Sequence, residues 1–497
     1  MNLFKRILCG FLAALLLLSV CACAETTDPA DNDTGAQSSA EETAEETLGE
    51  PLEIADTRYD GKELVFLTRE QAEWTTREIY AEKENFTESN ISEAVYKRND
   101  KILQNYGVTI KEFKVPVDNQ NGEIQKAVTA GGASEFQAVI SPVWVATSAT
   151  TNGLIWNLNS VETSSLDFSK SWWDSKLIEG TTLNDMAFFA TGDLLTADND
   201  ATFVMMFNKK IAEENNLPNL YQMVENKEWT FDKLYEYEQL PVFDKGGDGK
   251  LDFDTDVAGF AMTDDVYYSL LYAGGVTVVS KDKETGDPVY ALDVEKAQLI
   301  AEKARQIFAN DLIINLTKET SASMKEVGQT CFGEGHALFL GEVLQCVERM
   351  RGYDVDFGVL PYPLYDTDQA SYYHMMHTTG SVVSIPRNIK SDIEYVSSMI
   401  EAMAYHSKTT LTRQYYEVNL TTKYAKDKES GPMIDLILET RVFDLAYYYS
   451  WGNVVSTVAN ALHAESNTSV ASSSKKFNSN VNSLIKRTLS TIEKKYK

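Results

Sequence analysis

Seven tryptophans and 25 tyrosines are spread through the 497 residues, several of them adjacent: Trp172-Trp173, Tyr267-Tyr268 and the run Tyr447-Tyr-Tyr-Ser-Trp451. Flat rings stack on the apolar faces of ring-shaped solutes, and carboxylates beside them accept protons from solute hydroxyls. Rings and acids together therefore describe a site for a polyhydroxylated molecule. Most tryptophans are core residues, and Trp172, Trp173 and Trp229 read that way. Trp74 and Trp144 differ, because each follows a short apolar run, and a loop at a strand end leaves the ring open to a solute. The neighbouring tyrosines cannot all be core, since consecutive side chains point in different directions.

Two further patterns invite a metal reading. Asp244-Lys-Gly-Gly-Asp-Gly-Lys-Leu-Asp-Phe-Asp254 places Asp244, Asp248 and Asp252 at positions 1, 5 and 9 of a calcium loop, with Gly249 at the turn position 6. Against it, Gly246 stands at position 3, where an oxygen ligand is needed, and Thr255 at position 12, where a bidentate acid belongs. Calcium on those aspartates is thus an alternative to a solvated Asp/Gly turn, and the turn fits better. His374-Met-Met-His377 sets two imidazoles one helical turn apart, with no third ligand near in sequence. There is no Gly-x-Ser-x-Gly elbow and no His-Glu-x-x-His helix, and Lys250 lacks the following Ser/Thr of a phosphate loop. Acid pairs abound in so acidic a chain, so their proximity in sequence is no evidence of a glycosidase.

Lys and Arg number 45 against 74 Asp and Glu, a net charge of −29, which excludes recognition of nucleic acid through a basic face. An apolar content of 43% is ample for packed cores. Glu63–Leu67, Val108–Phe113 and Phe136–Ile140 read as strands separated by helices over Ser92–Tyr106 and Gly122–Ala130, the pattern of a parallel sheet in an α/β fold. Ligands of such sheets lie beyond the carboxyl ends of the strands, which draws attention to the loops carrying Trp74 and Trp144. Farther on, Met186–Ala190, Ala201–Phe207 and Ala337–Leu340 read as strands. Helical spacing marks Asp232–Gln239, Val266–Ala273, Val294–Ala309 and Asp392–His406. Ser466–Asn480 reads as a Ser/Asn-rich loop, followed by a last helix with Val481, Leu484, Ile485, Leu489 and Ile492 on one face.

The N-terminus carries Lys5 and Arg6 before the apolar run Phe11–Leu18, the organisation of a signal peptide. Val20-Cys21-Ala22-Cys23 resembles a lipobox, which predicts acylation of Cys23 and a protein held at the extracellular face of the cell membrane; cleavage after Ala24 would instead release it. From Glu25 to Thr57 there are 11 acidic residues and no basic one, so residues 24–57 read as a disordered acidic linker. In the body only Cys331 and Cys346 remain; an exported protein can pair them in a disulfide, while a body this large needs no staple and suits two buried thiols equally well.

Several stretches together resemble the extracellular solute-binding proteins of ABC importers, family 1, in the carbohydrate-binding, maltose-binding-protein-like branch. They are Phe203-Val-Met-Met-Phe-Asn-Lys209, Glu228-Trp-Thr-Phe-Asp232, Phe332-Gly-Glu-Gly-His-Ala-Leu-Phe-Leu-Gly341, Phe357-Gly-Val-Leu-Pro-Tyr-Pro363, and Asp427-Lys-Glu-Ser430 with Met433-Ile-Asp435. The resemblance implies a periplasmic-binding-protein type II fold, two α/β lobes joined by hinge segments around a ligand cleft. Lobe I would hold residues 58–191 and 379–406, lobe II residues 192–378 and 407–497, after a signal peptide over residues 1–23. It further implies a monomer that captures a carbohydrate, an oligosaccharide, and hands it to permease subunits. By the same comparison Trp144, Asp193, Glu342 and Trp451 occupy sugar-contacting positions, with Trp74, Asp265 and Tyr267 behind them. Glu342 stands where maltose-type members place tryptophan, a departure that argues against a maltodextrin. A peptide or amino-acid receptor, a polysaccharide adhesin and a glycan-degrading enzyme are the alternatives.

Overall fold

The computed structural model describes residues 49–71, 74–86, 91–132, 134–309, 311–319, 324–416, 428–462 and 469–496. The signal segment with Cys23 lies outside them, as does the linker up to residue 48. Two sheets organise the rest. Their strands in chain order are β1 (Glu63–Glu70), β2 (Thr109–Pro116), β3 (Ala138–Pro142), β4 (Phe203–Asn208), β5 (Ala258–Met262), β6 (Ile313–Asn315), β7 (Ala337–Val343), β8 (Phe357–Leu360) and β9 (Ser381–Ser384). The helices that matter below are α1 (Ile91–Tyr106), α2 (Gln120–Ala130), α3 (Val143–Asn152), α4 (Val266–Ala273), α5 (Val294–Ile307), α6 (Ile393–Ser407) and α7 (Val470–Tyr496).

The first sheet runs β9-β3-β1-β2, with β1 parallel to β2 and β3, and β9 antiparallel to β3. Its strands follow the β-α-β-α-β alternation of the sequence, and β3 and β9 are buried along their whole length, serines included. The second sheet runs β8-β4-β7-β5-β6; β4 is antiparallel to β8 and β7, while β5 is parallel to β7 and β6. The Asn208 carboxamide caps the following helix by accepting from Ile211 N at 3.1 Å, and Thr230 Oγ1 caps the helix Phe231–Glu238. Short polar side chains are placed there because the first-turn amides lack partners within the helix.

The lobes are joined by segments that pair with each other as they cross. Ala190 bridges Val383, Thr202 bridges Met376, and His377 N donates to Ala201 O at 2.8 Å. A third crossing leaves α6 through a π-helical turn, Lys408–Thr412. The strand expected at Met186–Ala190 does not form. Met186 pairs only with Leu183 and Ala190 only with Val383, because the chain is already leaving the edge of β9 for the second lobe.

Two other expectations change. The helix α7 begins at Val470, well inside the stretch read as a loop, since Phe477 lies four residues before Val481 and extends the buried face through Ile485, Thr488 and Ile492. The end of the acidic linker is docked on the first lobe. Leu52 and Ile54 pack against the main core, and the Glu50 carboxylate accepts from Ser171 N (3.1 Å) and Oγ (2.7 Å). Two apolar residues in an otherwise acidic run give it surface to bury.

Candidate functional site

The carboxyl ends of β1 and β3 close on the start of β9 through Arg69 Nη2–Ser381 Oγ (3.1 Å) and Val143 N–Gly380 O (3.1 Å), and the chain just past β7 meets the crossing through Leu344 N–Thr202 O (2.8 Å). Trp144 is the second residue of α3 and stays 36% exposed, a large ring left open on a strand-end turn. Thr147, one turn on, donates to Tyr448 O at 3.2 Å and so fixes α3 against the aromatic run before Trp451. There Tyr447 packs on Tyr268 with ring centroids 5.5 Å apart, and Phe203 and His377 close the cluster at 6.4 and 5.9 Å from Tyr268 and Phe203 respectively. Asp265 sits over this floor. Its carboxylate accepts from the Tyr268 hydroxyl, lies 3.7 Å from His377 Nε2, and remains 46% exposed. Glu342, near the end of β7, is partly buried, and both it and Asp265 act on the Tyr362 hydroxyl, whose pKa is raised first by burial and then by these two charges. A ring on one lobe and acids over an aromatic floor on the other can hold the face and the hydroxyls of a sugar.

Beside this lies a cavity of about 250 Å³ lined by Trp74, Thr75, Arg77, Glu78, Ala197, Asp200 and Gln345. Trp74 is buried against the Arg69 guanidinium, 5.6 Å from its ring. Arg77 of the first lobe reaches Glu348 of the second at 2.9 Å and Asp200 of the crossing at 3.4 Å. Burial opposes the Arg77 charge, but Asp200 and Glu348 outweigh it and raise the pKa. Sequence reading missed this tie between the lobes.

Asp193 closes the first crossing against the third. It accepts from Thr412 Oγ1 at 2.9 Å and lies 3.9 Å from Lys408 Nζ, lining a cavity of about 160 Å³ with Trp172, Trp173, Asp198 and Arg441. Burial pushes its pKa up to about 6 despite Thr412 and Lys408. Asp198 is pushed up to about 7 by burial, although Arg441 lies 3.3 Å away. The structure therefore places Asp193 among hinge contacts.

Of the seven expected contact residues, Asp265 and Glu342 both act on Tyr362, Trp144 is tied to the second lobe through Thr147 and Tyr448, and Trp74 lines the cavity beside Arg77. Tyr267 and Trp451 do not join them. Tyr267 is 2% exposed and packs edge-on to Phe308 at 4.5 Å, while Trp451 is equally buried, stacks on Tyr449 and donates from Nε1 to Thr488 Oγ1 at 3.0 Å. Tyr268 and Tyr447 are no more open, at 4% and 3% exposed, so the expectation that neighbouring tyrosines cannot all be core fails: Tyr267, Tyr268, Tyr447 and Tyr448 are all buried, because α4 is packed on every side.

Elsewhere the Asp244 carboxylate accepts from Gly247 N (2.5 Å) and Gly249 N (2.8 Å), and Asp248 from Lys250 N (2.9 Å), an Asp/Gly turn closed on its own backbone. Among the described residues no three His, Cys, Asp or Glu are grouped to hold a metal ion, so Asp244, Asp248 and Asp252 are not brought together as ligands. His374 lies in a short strand and accepts from Tyr362 N, its pKa pushed down to about 3 by burial. Cys331 and Cys346 are buried thiols not joined by a disulfide.

No protein-family model matches the chain, and no curated protein matches its sequence. Solved structures do. A cyclo/maltodextrin-binding protein complexed with maltotetraose matches with a TM-score of 0.53 at 16% identity, over 88% of this chain and 99% of its own. The GacH receptor of Streptomyces glaucescens, solved unliganded and with acarbose, matches with a TM-score of 0.55 at 13% identity, over 86% and 98%. A cyclic α-maltosyl-1,6-maltose binding protein from Arthrobacter globiformis gives 0.56 at 13% identity, over 85% and 99%. Likeness at such identities fixes the fold: the chain has the two-lobed α/β architecture of the type II periplasmic binding proteins. Among the described residues no helix is long and apolar enough to cross a membrane.

Proposed function

We propose that the chain is the solute-binding component of an importer, capturing a carbohydrate, an oligosaccharide, between its lobes without breaking a bond. The observation that carries this reading is an open ring and an open acid on different lobes: Trp144, 36% exposed at the strand end of the first, and Asp265, whose side chain is 46% exposed, on the second. The similar structures support it, since their descriptions name maltotetraose, acarbose and a cyclic maltosyl-maltose. Solute touching both lobes stabilises the apposed arrangement by its differential affinity. A micromolar dissociation constant corresponds to about −8 kcal/mol, within reach of two stacked rings and several charge-assisted hydrogen bonds. In the same reading Cys23 is acylated, the protein acts as a monomer on the extracellular face of the membrane, and it passes its solute to permease subunits.

A thermal-shift panel of linear and cyclic oligosaccharides, peptides and polyamines tests the solute class. At a hundredfold excess over the dissociation constant a true ligand adds about 2.7 kcal/mol of stability, a readily seen rise in melting temperature. Stabilisation by oligosaccharides alone is expected; stabilisation by peptides alone ends the carbohydrate reading. Acylation is tested separately, by mass spectrometry of the N-terminal peptide from membranes and by release of Cys23→Ala into the medium.

A further inference from the structure

The C-terminal helix belongs to neither lobe alone. At 27 residues α7 is about 40 Å long, enough to span both. Its first half lies on the second lobe: Val470 N donates to Gln298 Oε1 of α5 at 2.9 Å, and Phe477 packs edge-on to Tyr290 of the short hairpin Val279–Tyr290, centroids 6.1 Å apart. Its middle is held by Trp451 through Thr488, and by Gly452, where an added Cβ would come within 2.7 Å of Val481.

Its last turn lies on the first lobe. Lys495 Nζ donates to Asn152 O at 2.6 Å and Tyr496 OH to Thr150 O at 3.3 Å, both at the end of α3. Arg387, three residues past β9, donates to Lys495 O at 2.8 Å and covers the Tyr496 ring at 5.0 Å, whose other neighbour is Phe188 at 4.7 Å. The helix α3 thus carries Trp144 in its first turn and holds the end of α7 in its last, about 15 Å away.

A rod docked on two bodies cannot keep both docks when they rotate about a hinge. The dock that yields is the weaker one, and the two are unequal. Phe477, Val481, Ile485 and Ile492 bury an apolar stripe as far as the start of the last turn, whereas the last turn itself is held by one ring and a few partly exposed polar contacts.

We propose that α7 is a strap across the lobes whose last turn is a latch. Docked on α3 and Arg387, it favours the apposed arrangement also tied by Arg77 and Glu348; released, it lets the lobes swing apart. Tyr496 and Arg387 are then positioning residues for solute capture although neither reaches the cleft. Their loss acts by lowering the fraction of molecules already apposed, which weakens apparent affinity by that fraction.

The test uses the chain without residues 494–497 and, as milder variants that keep the helix, Tyr496→Leu and Arg387→Ala. Small-angle scattering without solute is expected to give a larger radius of gyration for all three than for the parent chain. Where a solute has been found, apparent affinity is expected to weaken about fivefold while the saturated complexes share one radius. An unchanged solute-free radius in the two point variants overturns the latch, even if their melting temperatures fall, because a merely structural role predicts that pattern. The solute arm rests on the capture reading and the scattering arm does not. An enlarged radius with no carbohydrate bound at all would therefore leave the latch standing and fail the function.

Discussion

Burial separates the tryptophans into two kinds with opposite expected behaviour. Trp144 has little packing to lose, so Trp144→Ala should leave urea unfolding almost unchanged and weaken oligosaccharide binding about tenfold. That corresponds to about 1.4 kcal/mol, near the upper end for one ring contact. Trp451 is stacked, buried and hydrogen-bonded, so Trp451→Ala should lose about 3 to 5 kcal/mol of stability. It should spare the affinity of whatever remains folded. Calorimetric titration beside urea unfolding separates the two; a Trp451 variant that stays stable but binds poorly would return that ring to the site. Sequence put both residues in one class because an isolated tryptophan carries no mark of its environment, and Trp451 is fixed by Thr488, 37 residues away.

At the scale of elements, what was legible was what is local. The alternation β1, α1, β2, α2, β3 appears in the sequence as period-2 and period-3.6 apolar patterns ending at glycines, and the structure repeats it within a few residues. The crossings were not legible, since Ala190 meets Val383 and Arg77 meets Glu348 across separations that no window spans. Gly192 shows how tightly the first crossing is held. Trp173 bridges Gly192, and a Cβ there would stand 2.2 Å from Trp172 O, a backbone atom that cannot swing aside. Gly192→Ala must push the crossing off the Trp172–Trp173 segment, and is expected to cost about 1 to 3 kcal/mol, the range for forced overpacking. A variant whose urea midpoint matches the parent would show that the crossing has slack and that the hinge is looser than this packing implies.

The whole molecule gathers buried acids around its crossings, and their titration gives stability a definite slope with pH. Burial raises Asp193 and Asp200 to about 6, Asp198 to about 7, and Glu401, which accepts from the indoles of Trp172 and Trp173 at 2.9 Å each, to about 7. A carboxyl whose folded pKa lies above its unfolded value holds its proton longer in the folded chain. Its contribution is complete below the unfolded value, near 4, and is lost as pH rises through the folded one. His374, held neutral by burial, opposes this below about pH 6.5 with one proton against the four carboxyls, so the melting temperature should fall from about pH 4.5 to about pH 7.5, most steeply in the upper part, and level off above. The net charge of −29 pulls the same way by self-repulsion, but that part is screened at high salt, whereas buried groups are screened much less. The slope should thus persist in about 0.5 M salt and flatten in Glu401→Gln. That variant leaves one indole without its acceptor oxygen and should be about 1 to 3 kcal/mol less stable at low pH, converging on the parent at high pH. A high-salt profile that is flat in the parent, or as steep in Glu401→Gln as in the parent, would remove these acids from the control of stability and leave surface repulsion as its only source.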